Sequence, residues 1–372
     1  MGRKQVVLTA LLLLAIVILT GCPGSNPAAP INNTSRNYGP PFNPIIFNDG
    51  AGFLATISSD VLTENPDYVD GFGLNEAISD MAYGFLIRPN SSEASSDFAA
   101  FDLDTEMLHV VDSQGSVTSS YFDGDAAEEN MFAFSNGGSR LVYVRAVNNQ
   151  HQLIYTGILV DVFYEITTIA SSRRFFGRPT MSSNTSIAMM SIDANQQTRI
   201  EVYNLEGTIE YQLTTPVKAL TYSDDGDHLA WFDESAQPSL VIRNSSLSTE
   251  ICRRDFSVYG DRASALSWSP DDNKIAFFAE ATDMTGSLVI YDRLSEDMNE
   301  IQFDGIYVFP EGDDKLWAQP NWNESGTELA FVVLDEDQDG ELSYNVIKVD
   351  LNGNTIVLYE GVGETQYVGW MK

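Results

Sequence analysis

The sequence predicts an all-β fold built from repeated four-stranded sheets. The first observation is the segment at 264–280, SALSWSPDDNKIAFFAE, which reads as two short strands joined by a turn of Ser, Pro and Asp. The second is that this hairpin recurs along the chain, and the third is that further strand-like segments follow several copies. Four strands in each period of roughly 40–45 residues is typical of a propeller blade.

Each copy of the hairpin has a turn that opens with Ser or Asn, and a second strand that begins five or six residues later in the clearest copies. The spacings between successive opening residues are 44, 43, 47, 41, 46 and 54 residues. Seven copies predict seven blades, although the first two are weak and 57–80 is poorly patterned, so six blades with an N-terminal elaboration is the alternative. The opening residues are Asn48, Ser92, Ser135, Ser182, Ser223, Ser269 and Asn323.

A third strand that ends in a polar turn follows several hairpins, for example at 200–204, 288–292 and 346–350. One blade cannot bury both of its faces, so the blades are expected to pack around an axis. The segment 366–370, QYVGW, matches a first strand without the rest of a blade. We therefore expect it to complete the blade that begins near residue 45 and to close the ring.

The best copies resemble the TolB-type propeller repeat, aromatic-Ser-Pro-Asp-Gly-x-x-Ile-Ala-Phe. The copies are 268–277, 222–231 and 322–331, and Asp272 stands where that repeat has Gly. The resemblance covers about residues 130–360 well and 43–125 loosely. It implies a TolB-like β-propeller but little about activity, because such blades occur in binding proteins, scaffolds and enzyme-associated domains.

The N-terminus has the pattern of a secretory signal. Arg3 and Lys4 precede an apolar run over 6–19, which is short for a membrane span of about 20 residues. The run ends in Leu-Thr-Gly-Cys, which resembles a bacterial lipobox and implies cleavage after residue 21 and lipidation of Cys22. The alternative is an ordinary signal peptide with a chance cysteine.

These patterns divide the chain into three parts: a lipoprotein signal peptide at 1–21, a flexible tether at 22–43 and the propeller at 44–372. The tether is rich in Pro, Asn, Ser and Gly, so it cannot build a core. The residue after Cys22 is Pro rather than Asp, so we expect the lipid-anchored protein at the outer membrane, facing either the periplasm or the surface.

The chain is strongly acidic, with 20 basic and 53 acidic residues and a net charge of −33. Such a surface repels nucleic acid and anionic lipid heads, so a nucleic-acid partner is not expected. The charge serves solubility or, alternatively, forms a binding face for cations or a basic partner. Lipidation of Cys22 would leave Cys252 alone, so we expect no internal disulfide and interpret Cys252 as a buried structural thiol.

A carboxylate-rich segment, DEDQDGE at 335–341, lies between the second and third strands of the last repeat. Alternate carboxylates around a glycine turn can place several oxygens on one hard cation. The residue at the twelfth position is Val346 rather than Glu, so this is not an EF-hand. We predict weak Ca²⁺ binding here, with a solvated acidic loop as the alternative; the candidate ligands are Asp335, Asp337, Asp339 and Glu341.

Signals for catalysis are few. The three histidines, His109, His151 and His228, have no His or Cys at metal-ligand spacing, and no Gly-x-Ser-x-Gly motif or phosphate-binding loop is present. The tryptophans fall mostly on strands and are interpreted as inter-blade core, with Trp317 the best candidate for exposure.

We therefore predict a lipid-anchored binding or scaffold module of the cell envelope, whose partner is an envelope protein or a small ligand. The alternative is a propeller hydrolase or lyase that acts on polysaccharide. Partner binding is expected on the face shared by loops between second and third strands and loops between blades, including the segment 307–317 and the carboxylate-rich segment.

Overall fold

The structure of the protein is a computed structural model, and every regular element it describes is a β-strand. Within the described ranges there is no helix long and apolar enough to cross a membrane. The residues described are 44–48, 54–58, 67–68, 85–89, 98–102, 107–111, 117–121, 127–135, 138–157, 160–182, 185–235, 237–256, 262–263, 266–280, 286–302, 320–336, 342–361 and 368–370.

The strands, numbered along the chain, are β1 (Pro44–Asn48), β2 (Leu54–Ser58), β3 (Asp67–Tyr68), β4 (Phe85–Pro89), β5 (Phe98–Asp102), β6 (Met107–Val111), β7 (Val117–Tyr121), β8 (Ala127–Phe134), β9 (Arg140–Val147), β10 (Gln150–Gly157), β11 (Val160–Thr168), β12 (Arg173–Met181), β13 (Ser186–Asp193), β14 (Thr198–Asn204), β15 (Ile209–Thr214), β16 (Val217–Tyr222), β17 (His228–Asp233), β18 (Ser239–Asn244), β19 (Glu250–Asp255), β20 (Arg262–Ala263), β21 (Ser267–Trp268), β22 (Lys274–Glu280), β23 (Gly286–Asp292), β24 (Met298–Gln302), β25 (Asn321–Trp322), β26 (Glu328–Glu336), β27 (Leu342–Asp350), β28 (Thr355–Gly361) and β29 (Val368–Trp370).

Residues 127–361 form five consecutive antiparallel sheets: β8–β11, β12–β15, β16–β19, β20–β24 and β25–β28. In each sheet, strands that follow one another in sequence are hydrogen-bonded neighbours, with the exception of β20 and β21. The first strand of the β20–β24 sheet is split in two, because β20 and β21 both pair with β22. The predicted all-β fold with four-stranded repeats is confirmed here, where the sequence copies are strongest.

Two further sheets come from the N-terminal strands and the last strand. One is β4–β7, and the other has the order β29-β1-β2-β3, with Phe47 opposite Val368. The repeat series treats the Asn48 hairpin like the others, as one that joins first and second strands, and this is wrong. The expectation that 366–370 supplies the first strand of this sheet agrees with the pairing of β29 with β1. Because β29 occupies the first position, this hairpin joins the second and third strands.

The core lies between neighbouring sheets. Phe277 and Phe278 are adjacent on β22 and fully buried, but their rings point to opposite faces of the sheet. Phe277 contacts Phe232 of the preceding sheet, with ring centroids 5.1 Å apart, and Phe278 contacts Phe331 of the following sheet at 4.9 Å. A strand with both faces buried reads as a continuous apolar run, which explains the Ile-Ala-Phe-Phe segment.

In two of the sheets, the tryptophan before the turn also connects its sheet to the previous one. The Trp268 Nε1–H donates to the Thr221 carbonyl at 3.4 Å, and the Trp322 Nε1–H donates to the Ser267 carbonyl at 3.1 Å. Both indoles are at least nine-tenths buried, as is Trp231. The interpretation of these tryptophans as inter-blade core is correct.

Candidate functional site

The connections between strands gather at two ends of the sheets. At one end, turns between first and second strands meet turns between third and fourth strands: the Arg293 N–H donates to the Asn273 carbonyl at 2.8 Å. We call this end the turn face. At the other end, loops between second and third strands meet connections between sheets, as where the Glu234 N–H donates to the Pro216 carbonyl at 3.3 Å. We call this end the loop face.

On the turn face, a carboxylate holds two neighbouring sheets together. Asp272 follows β21, and its Oδ1 and Oδ2 accept hydrogen bonds from the backbone N–H groups of Asp224 (2.6 Å) and Asp225 (3.1 Å), in the turn of the preceding sheet. Burial raises the pKa of Asp272, although the bond from the Asp224 N–H lowers it. The side chain is therefore a structural clamp between two turns.

The backbone explains why this one turn departs from the repeat. Asp272 has a φ of 56°, in the left-handed region that favours glycine, and Gly226 and Gly326 occupy the same turn position with φ of 77° and 65°. A Cβ at Gly326 would lie 3.5 Å from Cδ of Pro270. Since Pro has no N–H, an Asp at 326 would lack the donor that Asp224 supplies to Asp272.

A histidine pairs with an arginine beside this clamp. The Arg293 Nη1 lies 3.1 Å from the His228 Nε2, and because a guanidinium only donates, the imidazole Nε2 accepts. The proton of the neutral ring is then on Nδ1, which faces the Asp225 Oδ1 at 3.8 Å. His228 therefore connects the turn of one sheet with the third-to-fourth-strand turn of the next.

The loop face holds a buried charged network between the β8–β11 and β12–β15 sheets. Glu201 on β14 is fully buried, and its carboxylate accepts hydrogen bonds from the Arg173 guanidinium and from the Tyr203 hydroxyl at 2.8 Å. Arg173 also donates to the Ser191 hydroxyl at 3.2 Å. Burial and the nearby Glu201 carboxylate raise the pKa of Tyr203, so the phenol remains a donor.

Further polar groups border this network. His151 on β10 accepts a hydrogen bond at Nδ1 from the Phe175 N–H at 3.0 Å, which joins the two sheets. The Arg199 guanidinium donates to the Asp193 carboxylate at 3.1 Å. The backbone N–H of Gln197 is the main cause that lowers the pKa of Asp193, so this carboxylate is charged at neutral pH. The network combines a buried anion with guanidinium groups that reach the solvent.

A second charged group lies on the β16–β19 sheet. The Arg253 guanidinium donates to the Asp233 carboxylate at 2.7 Å and to Glu250 at 3.0 Å. Burial by itself would raise the pKa of Asp233, but hydrogen bonds from Arg253 and Ser235 outweigh it and lower the pKa. The bond from Arg253 is also the main cause that lowers the pKa of Glu250.

We expect the stabilising effect of Arg253 to depend on pH. A carboxylate whose folded-state pKa is lowered stabilises the fold above its unfolded pKa of about 4, and this effect is lost as the pH falls through the folded pKa. Because Arg253 is 39% exposed, the substitution Arg253→Gln should cost only about 1 kcal/mol at pH 7. Urea unfolding of both proteins between pH 7 and pH 2.5 should show the difference shrinking towards zero; a constant difference would contradict this mechanism.

The structure places only part of the predicted calcium site. Asp335 lies on β26 opposite Ser343, whereas Asp337, Asp339 and Glu341 lie outside the described residues. Cys22, Trp317 and the segment 307–317 also lie outside them. Among the residues described, no three His, Cys, Asp or Glu side chains are grouped to hold a metal ion.

The interpretation of Cys252 as a buried thiol needs correction. Cys252 is partly exposed on β19, and its Sγ lies 2.9 Å from the Tyr291 hydroxyl of the next sheet. Cys252 is on the side of β19 that packs against the core, but β19 is the outermost strand of its sheet, so this side is only partly covered. Sequence reasoning also missed Asp272 as a clamp and the Arg173–Glu201 pair. The signal for Glu201 was a charged residue within the apolar run Ile-Glu-Val-Tyr of β14.

Comparison with known proteins supports the assignment of the fold. No protein-family model and no curated protein matches the sequence. Among solved structures, the chain is similar to TolB from Acinetobacter baumannii, with 13% identity, a TM-score of 0.50, and coverage of 86% of this chain and 79% of that one. It is also similar to an oligogalacturonate lyase from Vibrio parahaemolyticus, with 10% identity, a TM-score of 0.53, and coverage of 84% and 93%.

A third similar structure is the β-propeller domain of Cps50 (Swd1) from Myceliophteria thermophila, with 11% identity, a TM-score of 0.52, and coverage of 77% and 90%. At such low identity the likeness concerns the fold alone, since one fold serves many functions. Together with the repeated antiparallel sheets, these likenesses show that the chain has a β-propeller fold of the kind found in TolB.

Proposed function

We propose that the protein is a seven-bladed propeller, closed by its C-terminal strand, that binds a partner at the cell envelope through its loop face. The arrangement of the first strands supports the closed ring. β4, β8, β12, β16, β21, β25 and β29 contact one another in that order, and β29 also contacts β4. The pairing of β29 with β1 brings a strand from near residue 370 into the sheet that begins at residue 44, as a closing strand would.

The observation that carries the binding role is the set of polar contacts that fix neighbouring blades on the turn face. The Asp272 carboxylate, the Trp322 indole and the His228–Arg293 pair each join two blades. Blades held in this way keep the loops at the other end in fixed relative positions. A preorganised surface binds with less loss of conformational entropy, which is why rigid scaffolds carry functional loops.

Crosslinking can test the assignment of binding to the loop face. A photoreactive amino acid at Asn195, exposed between β13 and β14, should capture an envelope partner in intact cells. The matched control is the same amino acid at Asn352, exposed in the turn between β27 and β28 on the turn face. We expect the same crosslinked species at several loop-face positions and none at Asn352; equal crosslinking from both faces would overturn the assignment.

The anchor and its location are part of the proposal. Lipidation of Cys22 would attach the propeller to the outer membrane through the tether, and more than one acyl chain gives firm attachment. The variant Cys22→Ser should move the protein from the membrane fraction to the soluble fraction and abolish incorporation of labelled fatty acid. Retention in the membrane fraction without label would contradict the anchor.

Calcium binding is proposed for the carboxylate-rich segment. The pairing of β26 with β27 continues to Glu336 and Leu342, so only five residues separate the two strands in the sequence. Alternate carboxylates in so short a segment can place several oxygens on one hard cation. Ca²⁺ should raise the melting temperature of the wild-type protein, and the double variant Asp337→Asn/Asp339→Asn should lose this response. If both respond equally, the ion binds elsewhere.

The alternative of a polysaccharide hydrolase or lyase is still a prediction. Incubation of the purified protein with acidic and neutral polysaccharides, followed by assays for new reducing ends and unsaturated sugars, tests it directly. Enzyme turnover that survives loss of the envelope partner would favour this alternative over a binding module.

A further inference from the structure

The sheets differ in the shape of their outermost strands. Within the described residues, the last strand of each sheet is paired on one side only. Five of these strands contain a shift in register of the kind that a β-bulge produces: β7, β11, β15, β19 and β28. Another, β3, has only two residues. Bulges and short length are two ways in which proteins prevent an edge from pairing with another chain.

The outermost strand β24 has neither form of protection. Its five residues pair with β23 in one continuous register, from Met298 opposite Tyr291 to Gln302 opposite Ser287. The strand contains no Pro, and its residues Asn299 and Glu300 are exposed. Among the outermost strands that the structure describes, β24 therefore has the edge that is regular enough to pair with a further strand.

The hydrogen-bond pattern shows which backbone groups of β24 face this edge. The Asp292 N–H donates to the Asp297 carbonyl at 2.9 Å, so these two residues form a hydrogen-bonded pair where the hairpin of β23 and β24 begins. Hydrogen-bonded pairs alternate with other pairs along an antiparallel ladder, so every second residue of β24 directs its N–H and C=O away from β23. These residues are Met298, Glu300 and Gln302.

The charge around β24 restricts which strand can pair there. Residues 292–300 contain four acidic side chains and one basic side chain, and Arg254 of the preceding sheet, which pairs with Glu296, does not make the region neutral. A second copy of this chain would place two such acidic edges side by side, and like charges on neighbouring strands destabilise their pairing. A segment that carries Lys or Arg would instead be attracted.

We propose that the edge of β24 binds an extended, basic segment of another protein, which adds to the sheet as a further strand. In this mode of binding, the backbone hydrogen bonds supply affinity and the side chains select the partner. The edge belongs to the outer side of its sheet and not to the loop face, so this is a second interaction surface. It does not depend on the proposed binding role of the loop face.

A model peptide of alternating Lys and Thr can test this surface, because it is basic and favours an extended backbone. Fluorescence anisotropy with the full-length protein in detergent measures its affinity. A matched peptide of alternating Glu and Thr reverses the charge, and a Lys and Thr peptide that is N-methylated at alternate residues keeps the charge but loses backbone donors. We expect the acidic peptide not to bind and the methylated peptide to bind about tenfold or more weakly.

Hydrogen exchange measured by NMR locates the bound peptide on the wild-type protein. The amides of Met298 and Glu300 should gain protection, because their N–H groups face the edge at which the strand is added. The amide of Gln212 on β15 should not gain protection. Gln212 also directs its N–H outward, since it is three pairs away from the hydrogen-bonded pair of Thr198 and Thr215, but its strand contains a bulge.

Variants of the same two positions provide a second test. Glu300→Pro removes an outward N–H that takes no part in pairing with β23, and it should weaken binding of the basic peptide about tenfold or more. Glu300→Gln keeps this N–H and should weaken binding less. Gln212→Pro is the matched control, because it removes an outward N–H from a bulged strand, and its affinity should equal that of the wild type. Circular dichroism melting checks that each variant folds.

Several results would overturn the inference. One is no binding of the basic peptide to the wild type, and another is equal binding of the methylated peptide, which would show attraction by charge alone. Equal protection of Gln212 and Glu300, or a folded Glu300→Pro variant with unchanged affinity, would also contradict strand addition at β24. If Glu300→Pro does not fold, the methylated peptide and the exchange pattern of the wild type decide the question.

Discussion

Replacement of Arg173 by Met is expected to lower the free energy of unfolding by about 3–5 kcal/mol. The substitution leaves the Glu201 carboxylate fully buried and without the guanidinium that compensates its charge. The Tyr203 hydroxyl would remain as a donor, but one neutral hydrogen bond does not replace an ion pair around a buried carboxylate. Urea denaturation of the purified protein at pH 7 measures the loss.

Replacement of Glu201, the acidic member of the pair, should lower the stability less. With Glu201→Gln, the Arg173 side chain, which is 24% exposed, can still be hydrated. The double variant Arg173→Met/Glu201→Leu should recover most of the stability, because a well-packed apolar pair avoids the desolvation of both charges. Glu210→Gln, on the exposed side of β15, is the control and should change stability by less than about 0.5 kcal/mol. A loss for Arg173→Met as small as this control would contradict the burial argument.

The hairpins were predictable because their chemistry is local. The Ser269 hydroxyl accepts the Lys274 N–H at 2.9 Å, and Asn323 accepts the Glu328 N–H at 3.1 Å in the same way. Each opening side chain therefore satisfies a backbone group five residues away, within one turn. Such a requirement leaves a residue type at a fixed spacing in the sequence, and this spacing predicted strands in the correct places over 127–361.

Contacts between distant parts of the chain were less accessible. Arg173 and Glu201 are 28 residues apart in the sequence, and no pattern in either segment predicts that the two side chains form a pair. The position of the Asn48 hairpin was misjudged because its first strand, β29, comes from the other end of the chain. The candidate site was predicted only as a face: the loops that share it followed from strand order, but the charged network on it depends on which side of a strand each residue occupies.

The role of Asp272 was predictable in part, because it combines a local turn with a contact between distant segments. Its departure from glycine was visible in the sequence, and the left-handed backbone there follows from the turn type. Its partners were not visible, because they are N–H groups of a turn almost fifty residues earlier. Only the alignment of one blade on the next shows that Asp224 can donate to this carboxylate and that Pro270 could not donate to an equivalent one.

Replacement of Asp272 by Ala should accordingly lower the free energy of unfolding by about 3 kcal/mol. The backbone N–H groups of Asp224 and Asp225 would lose a charged acceptor, and Ala would have to adopt a φ of 56° that Asp tolerates better. Asp272→Gly separates the two causes, because glycine accepts this backbone without strain. It should lose only about 2 kcal/mol, the part that belongs to the hydrogen bonds.

Thermal and urea unfolding of these variants can be compared with Asp227→Ala, which removes an exposed carboxylate from the neighbouring turn. This control should leave stability within about 0.5 kcal/mol of the wild type. Hydrogen exchange adds a local readout, since the Asp224 and Asp225 amides should exchange faster in Asp272→Gly while amides of the β25–β28 sheet keep their protection. Unchanged exchange at both amides would show that the carboxylate does not join the two blades, and the rigid turn face on which the binding proposal depends would lose its main contact.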